Sequence, residues 1–419
     1  MPAWLQLKYA HANGLLSDDI FAVANILKVM SLHRVSDIYG PLPVLHFGET
    51  ENPYNSQEEC YMHFFETLDS AIAVLKDVVE NNPDAKPLEE VDALYHGDYS
   101  KWLKLANSVK LRLAMRICYV KPDLAKQYAM EAVRDGVMET ADDSALFQSW
   151  GSITIINPLE KIWNGYSDTR MGASMDSYLN GYNDPRLPVY FQPVTEGDNK
   201  GEYRGVANGM PNPQQDDYKA MSAPNVQEKS TDSPLRWMMA SEVAFLRAEG
   251  AMRGWTAEMG GTAEEFYNKG IELSFLENGL SADAAARYAA DETSKPTDFT
   301  DVSAANTKYN ISALGKITIK WNAGASEEEQ LERIITQKWI AMFPNGTEAW
   351  SEFRRTGYPL IFPVRSNYPT SGVDTNKQIR RMVFPQSEYS NNGAAVQEAV
   401  KLLGGPDNGG TKLWWDKKN

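Results

Sequence analysis

The amino-acid sequence predicts an all-α fold, made mainly of paired helices that support one long irregular region. Apolar residues recur at spacings of three and four in several stretches, as they do along one face of an amphipathic helix. Capping-box pairs start three of these stretches. Between residues 142 and 234 the periodicity is lost, and glycine, proline, asparagine and aspartate become frequent.

The first 140 residues contain three predicted helices. Ser56 and Glu59 form a capping box that starts a helix over residues 56–79. A second helix is expected over residues 100–120, and a third over residues 123–134. The third helix carries small residues that let a neighbouring helix approach closely, namely Ala125, Ala129 and Ala132.

A helical hairpin is predicted after the irregular region. Residues 235–253 form its first helix, and the capping box of Thr262 and Glu265 starts its second. A third capping box, Ser326 with Glu329, starts a later helix. The paired helices resemble tetratricopeptide units, although the full repeat consensus is absent.

Residues 1–419 are expected to form a single domain with four parts. These are an N-terminal helical-repeat part (1–140), an irregular loop-rich insertion (141–234), a helical hairpin (235–280) and a C-terminal part (281–419).

Composition excludes several classes of partner. The net charge is −15 and the pI is about 4.9, so phosphate backbones and anionic bilayers would be repelled. We therefore expect no nucleic-acid partner and no polybasic membrane contact. No apolar run approaches the roughly 20 residues that span a bilayer, and the N-terminus lacks a signal-peptide pattern.

Catalytic motifs, a cofactor and a metal are not expected. The chain has no Walker-type phosphate loop, no GxSxG elbow and no HExxH helix. Cys60 and Cys118 are interpreted as buried thiols. Cys60 and His63 have metal-ligand spacing, but no second ligand pair stands nearby. A glycan-active hydrolase is an open alternative, because sequence does not give the separation of its many carboxylates.

The irregular region holds the candidate binding site. Aromatic rings can stack on the C–H faces of sugars, and Asn, Asp and Arg side chains can bond their hydroxyls. The densest such cluster is Trp163, Asn164, Tyr166, Asp168 and Arg170. Trp163, Tyr166 and Arg170 are the predicted ligand contacts, with Tyr182 and Tyr203 behind them. The alternative interpretation is that these residues fill loop packing and Asx turns.

Short motifs follow one another along the chain from about Asp19 to Asp416. They include Val35-Ser36-Asp37-Ile38-Tyr39-Gly40-Pro41, Gly97-Asp98-Tyr99-Ser100-Lys101-Trp102, Asn183-Asp184-Pro185-Arg186-Leu187, Ser241-Glu242 with Arg247-Ala248-Glu249, Phe353-Arg354-Arg355-Thr356-Gly357 and Trp414-Trp415-Asp416. Together these motifs resemble those of the SusD/RagB family of outer-membrane nutrient-binding lipoproteins, and the resemblance spans essentially the whole chain.

The resemblance implies a fold, a location and partners. It implies four tetratricopeptide-like helix pairs, no catalytic activity, and a lipid anchor on the outer face of the outer membrane of Bacteroidetes-type bacteria. It also implies capture of glycans or peptides for a SusC-like TonB-dependent transporter. We expect that the lipoprotein signal region is missing before residues 5–15, so that the anchor is not present in this chain. The alternative is a helical scaffold or lid for the transporter, or a peptide binder, without glycan affinity.

Overall fold

The computed structural model of the protein is mainly α-helical, and it describes residues 2–210, 214–225 and 233–418. The helices are α1 (Pro2–Ala12), α2 (Asp18–Tyr39), α3 (Gln57–Asn81), α4 (Tyr99–Arg116), α5 (Pro122–Asp135), α6 (Pro158–Glu160), α7 (Ala173–Gly181), α8 (Leu187–Tyr190), α9 (Gln215–Tyr218), α10 (Ala240–Met252), α11 (Thr256–Met259), α12 (Ala263–Leu276), α13 (Ala282–Ala289), α14 (Glu327–Ala341), α15 (Gly346–Thr356) and α16 (Gln386–Leu403). Strands β1 (Ala145–Phe147) and β2 (Leu235–Met238) form a small sheet. The predicted mainly α class is confirmed.

Within the described ranges, no helix combines the length and apolar character that a membrane crossing requires.

The chain divides into two compact units. Unit 1 contains residues 1–138, 354–356 and 368–419, and unit 2 contains residues 139–353 and 357–367. The first segment of unit 1 ends within two residues of the predicted boundary at 140, whereas the predicted C-terminal part (281–419) is shared between both units. The description of residues 1–419 as a single domain stays a prediction.

Unit 1 is built on consecutive helices, with α2 packed on α3, α3 on α4 and α4 on α5. The predicted capping box is present, because the Ser56 side chain accepts from the Glu59 backbone and the Glu59 carboxylate accepts from the Ser56 backbone. The three alanines of α5 are fully buried. Both cysteines are buried thiols, as predicted, and burial raises the pKa of Cys60 to about 12.

Trp415 joins the C-terminal end of the chain to the helices of unit 1. Its ring is fully buried, and its indole N–H donates to the Asp37 carboxylate over 2.9 Å. The guanidinium groups of Arg354 and Arg116 lie 4.9 and 5.3 Å from the ring centre. Each therefore makes a cation–π contact with the ring. The indole ring and the Asp37 carboxylate together offset the free-energy cost of burying these two guanidinium cations.

Helix α1 is held by a contact between an aromatic ring and a buried amine. The Trp4 indole N–H donates to Asn25 over 3.0 Å. The Lys28 ammonium lies 4.0 Å from the centre of the Trp4 ring and 3.3 Å from the His63 Nε2 atom. Lys8 approaches the same ring at 5.7 Å. Because Lys28 is 6% exposed, this arrangement favours a neutral imidazole at His63.

The Lys28 and His63 pair makes the stability of unit 1 depend on pH. Burial and the Lys28 charge lower the pKa of His63 to about 4, whereas burial and Lys8 lower the pKa of Lys28 to about 8. Between pH 6.5 and 4 the unfolded chain binds the extra proton at His63, so stability is lost as pH falls through this window. We expect a loss of about 1 kcal/mol after allowance for solvent screening.

The measurement is urea unfolding at pH 7 and pH 4.5 for the wild type and His63→Gln. The variant has no imidazole to protonate. Its loss of unfolding free energy between pH 7 and pH 4.5 should therefore be smaller than that of the wild type by about 1 kcal/mol. Other carboxylates titrate in both proteins and cancel in the difference. Equal losses in the two proteins would refute the role of His63.

Unit 2 is built on α10, α12 and α14, which pack on one another. Gly270 allows the close contact of α10 with α12, because a Cβ atom there would stand 2.7 Å from the Phe245 ring. The capping box of Thr262 and Glu265 is present. The third predicted box is half formed: Ser326 caps the Glu329 backbone, but the Glu329 carboxylate pairs with Arg333 instead.

One predicted helix boundary is wrong. Residues 235–253 were expected to form a continuous helix, but the first four form β2, which pairs antiparallel with β1. The Phe147 and Trp237 rings stack at 4.6 Å beside this pairing. The buried Glu277 carboxylate then accepts from the Ser241 backbone and side chain and holds the first turn of α10.

The irregular region contains more regular structure than its composition indicates. Helix α7 and the short helices α6, α8 and α9 lie within it. Asp184 and the fully buried Arg186 form an ion pair there, with Nη2 to Oδ2 at 2.7 Å and Nε to Oδ1 at 2.9 Å. The Arg186 guanidinium also donates to the side chains of Ser274 on α12 and Gln337 on α14. This network fixes the irregular region to the helices of unit 2.

Candidate functional site

A wide helical turn, residues Lys161–Tyr166, carries the aromatic part of the candidate site. Helix α6 starts the turn with Pro158 at its first position, and the Asn157 side chain accepts from the Leu159 backbone at 3.1 Å. Ser167 ends the turn in the left-handed region, with φ of 53°. The turn has the hydrogen-bond pattern of a π-helix, a form often found at functional sites.

Arg170 holds the backbone around this site in place through its hydrogen bonds. Its guanidinium donates to four main-chain carbonyls, those of Ser167, Thr169, Tyr218 and Lys219, at 2.7 to 3.2 Å. Four of the five N–H donors of an arginine are therefore in use. Burial lowers the pKa of Arg170. The hydrogen bonds of its side chain connect the turn to the C-terminal end of helix α9. Its predicted role as a direct ligand contact stays a prediction, with at most one donor to spare.

Trp163 lies next to Arg170, and Tyr166 lies on the same turn as Trp163. The Arg170 guanidinium carbon is 4.8 Å from the centre of the half-buried Trp163 ring. Tyr166 is 57% exposed, and its main-chain carbonyl accepts from the Gln215 side chain at 3.3 Å. Trp163 and Arg170 are thus in contact, and the Tyr166 ring on the same turn is available to solvent.

A pocket of about 370 Å³ opens beside Arg170, and neither Trp163 nor Tyr166 is among the residues that line it. Ser167, Asp168 and Arg170 form the wall on the side of the turn, and the other lining residues are Met171, Gly172, Val206, Asn208, Gln214, Gln215, Tyr218 and Lys219. The volume lies within the range of small-molecule sites, roughly 300–1,000 Å³. Asn208, Gln214, Gln215 and Lys219 are not among the predicted contacts, although the two glutamines belong to the run of polar residues before Tyr218.

The pocket has a mainly apolar surface with several polar side chains, and it offers little free charge. Arg170 is occupied by carbonyls, and the exposed Lys219 ammonium lies 3.3 Å from Asp216. The carboxylate of Asp168 is exposed. What remains are side-chain amides, from Asn208 and the two glutamines, together with the buried apolar residue Met171 and the half-buried Val206. Such a lining suits a neutral ligand that has both hydrogen-bonding groups and apolar surface.

Two of the predicted contacts lie elsewhere. Tyr182 is 1% exposed within the core of unit 2, and its hydroxyl donates to the Ile317 carbonyl over 3.2 Å. Its ring is therefore not available for stacking on a ligand, and the prediction for this residue is corrected. Tyr203 is half-buried and packs against the same core, so it does not line the pocket. Its role in binding stays a prediction.

The interpretation of Cys60 and His63 as metal ligands is not supported by their contacts. The Cys60 thiol points at the carbonyls of Leu42 and Asn55, at 3.7 and 3.8 Å, whereas His63 faces the Lys28 ammonium. Across the described ranges, no three His, Cys, Asp or Glu side chains are grouped closely enough to hold a metal ion.

Comparison with known families identifies the class of the protein. The family described as SusD-like, Susd and RagB outer membrane lipoprotein, matches residues 1–416. The chain belongs to the SusD-like family. A comparison with curated proteins found no match.

Solved structures agree with this assignment. A chitin-binding SusD homologue from Flavobacterium johnsoniae is 41% identical, with a TM-score of 0.91 over 99% of this chain and 84% of that chain. A SusD-like protein from Bacteroides thetaiotaomicron is 40% identical, with a TM-score of 0.92 over 100% of this chain and 85% of its own. A SusD homologue from Bacteroides vulgatus is 36% identical, with a TM-score of 0.90 over 96% and 80%.

Proposed function

We propose that this protein captures glycans without chemically changing them, and that the pocket beside Trp163 is where it holds them. The observation that carries the proposal is the contact of the half-buried Trp163 ring with Arg170, whose side chain lines a pocket together with several side-chain amides. Aromatic rings and neutral hydrogen-bonding groups are the two features that a sugar ring requires. Membership of the SusD-like family, and a chitin-binding relative at 41% identity, support the same function.

The pocket chemistry favours sugars that carry an N-acetyl group. The acetamido group pairs a methyl with a neutral amide, which matches the apolar side chains of Met171 and Val206 beside the Asn208 amide. A uronic acid would need a free cation, and Arg170 has little capacity left. We therefore propose oligosaccharides of N-acetylglucosamine as the first ligands to test.

The protein would deliver its ligand to a transporter. Proteins of this family are outer-membrane lipoproteins, and we propose that a SusC-like TonB-dependent transporter receives the glycan at the cell surface. A lipid anchor preceding this chain would hold the protein there. Affinity in the micromolar to millimolar range would suit this role, because the ligand must be released to the next site.

Replacing Trp163 with alanine is expected to weaken binding of chitohexaose about tenfold. Loss of one stacked ring is worth about 1.4 kcal/mol, which corresponds to that factor. Trp163→Phe keeps an aromatic face and should retain most of the affinity. Isothermal titration calorimetry with chitohexaose, cellohexaose and maltohexaose measures both the affinity and the preference among sugars.

Two control variants separate binding from stability. Tyr182→Phe removes a hydroxyl in the core, and Tyr368→Ala removes an aromatic ring that is 85% exposed and outside the pocket. Neither should change chitohexaose affinity. Unchanged affinity in Trp163→Ala would place the site elsewhere. Absence of binding to all three glycans would favour a helical scaffold for the transporter, and release of new reducing ends would favour a hydrolase.

A further inference from the structure

Unit 2 contains another pocket, of about 520 Å³, at the first turns of α14. It shares no lining residue with the pocket beside Trp163. Three acidic and three basic side chains line it, namely Glu328, Glu329, Glu332, Lys295, Lys316 and Arg333. A charged side chain in such a pocket is available to a ligand only where the protein itself gives it no partner.

Four of the six charged groups are held by other parts of the protein. Arg333 pairs with Glu329 at 3.0 Å and donates to the Thr318 carbonyl at 3.1 Å. Glu328 accepts from the Tyr358 hydroxyl at 3.0 Å. The Lys316 ammonium donates to the Ala313 carbonyl at 2.7 Å. These bonds fix the walls of the pocket, so little rearrangement is needed when a ligand enters.

Of the two groups that remain, Lys295 is exposed and Glu332 is half-buried. One oxygen of its carboxylate is buried and has no hydrogen-bond partner among the described residues, while the side chain forms part of the pocket lining. Behind it stand the buried rings of Tyr178 and Tyr182, whose pKa values are raised mainly by burial and partly by the Glu332 charge. A buried carboxylate without a donor is costly, and a donor that enters through the pocket would relieve that cost.

We propose that this pocket binds the ammonium group of an amino sugar whose amine is free, with Glu332 as its anionic partner. An ammonium group is the donor that gains most from a carboxylate, because its hydrogen bonds are assisted by charge. Hydroxyls of the same sugar can accept from the exposed Lys295, and Tyr358 supplies a half-buried ring. The site is distinct from the pocket beside Trp163, and it does not depend on glycan binding there.

The protonation of Glu332 supports the assignment. Burial raises its pKa to about 7, with Glu329 adding to the shift and Arg333 opposing it. A bound ammonium would stabilise the ionised form, so binding should release protons near neutral pH. At pH 5.5 Glu332 is mostly protonated while the amine stays charged, and affinity should fall by about tenfold relative to pH 7.5.

The experiment is calorimetric titration of the whole chain with glucosamine, N-acetylglucosamine and glucose at pH 7.5. Glucosamine should bind, and the two sugars without an ammonium should bind at least tenfold more weakly at this pocket. Glu332→Gln keeps the shape of the side chain but removes its charge, and should lower glucosamine affinity at least tenfold. Glu292→Gln is the matched control, because Glu292 forms an exposed ion pair with Lys320 outside the pocket.

Each outcome bears on the proposal. In Glu332→Gln the difference between pH 7.5 and 5.5 should disappear, which a purely structural role of Glu332 would not produce. The proposal would be overturned if Glu332→Gln bound glucosamine as tightly as the wild type, or if the wild type did not bind glucosamine. It would also be overturned if N-acetylglucosamine bound equally well and its binding depended on Glu332. Chitohexaose binding to Glu332→Gln tests the other pocket separately and should be unchanged.

Discussion

Replacing Arg186 with leucine should destabilise the protein by about 3–5 kcal/mol, because the change leaves the Asp184 carboxylate buried without its cation. Asp184 is 3% exposed and Arg186 is fully buried. The Tyr288 hydroxyl would still donate to Asp184, at 2.8 Å, but a hydroxyl does not neutralise a charge. Ser274 and Gln337 would also lose the donors that join α12 to α14.

The measurement is urea unfolding followed by circular dichroism, with Arg204→Leu as the matched control. Arg204 pairs with Glu202 at 2.9 Å at a partly exposed position, so its loss should cost at most about 1 kcal/mol. Adding Asp184→Asn to Arg186→Leu removes the stranded charge and should restore part of the lost stability. Equal effects of the Arg186 and Arg204 changes would show that the buried pair is not a stabilising element.

Trp415→Ala is expected to destabilise the protein by about 3–5 kcal/mol, the usual cost of removing a fully buried large aromatic side chain. The change opens a cavity and removes the donor to Asp37. It also removes the ring against which Arg116 and Arg354 lie. Two buried guanidinium groups would then face a void or water that enters it.

Two variants divide this effect into its parts. Trp415→Phe keeps a ring but loses the indole N–H, and should cost about 1–3 kcal/mol for the lost hydrogen bond to the Asp37 carboxylate, which keeps the Tyr61 hydroxyl as a donor. Trp414→Ala is the control, because Trp414 is half-buried with its ring 5.9 Å from that of Tyr61. Differential scanning calorimetry reports the shift in melting temperature. A Trp414 variant as unstable as the Trp415 variant would argue against a special role for the buried ring.

The sequence predicts the long helices of this fold well because their signals are local. Capping-box residues stand three positions apart, and the apolar stripes of α3 and α12 repeat every three or four residues. Helix α7 was missed for the opposite reason. Glycine precedes it without a side-chain cap, and almost all of its residues are buried, so no polar face marks it in the sequence.

Strand β2 shows the limit of local signals most clearly. Leu235 to Met238 continue the apolar spacing of the helix that follows, and only pairing with β1 makes them a strand. Their partner residues lie about 90 positions earlier in the chain. A pattern within one short segment contains no information about such a partner, so tertiary contacts override it.

The candidate site likewise has features that follow from local sequence and features that depend on distant residues. Clustering of Trp163, Tyr166 and Arg170 follows from their closeness in sequence. The brace that Arg170 makes with Tyr218 and Lys219 depends on residues 48 and 49 positions away. Burial of Tyr182 depends on packing with segments far along the chain, such as the one that contains Ile317. Composition predicts the region of the candidate site, whereas tertiary packing decides which aromatic rings remain exposed.

The bond between Asp37 and Trp415 sets an order of events during synthesis. The two residues are separated by 378 positions, so the first unit cannot complete its core until the entire second unit has left the ribosome. At 5–20 residues per second, that delay is roughly 20–75 s. Throughout this interval the N-terminal helices lack their closing residues and are accessible to chaperones. Folding of this unit is therefore completed only after synthesis of the whole chain, however early its first helices emerge.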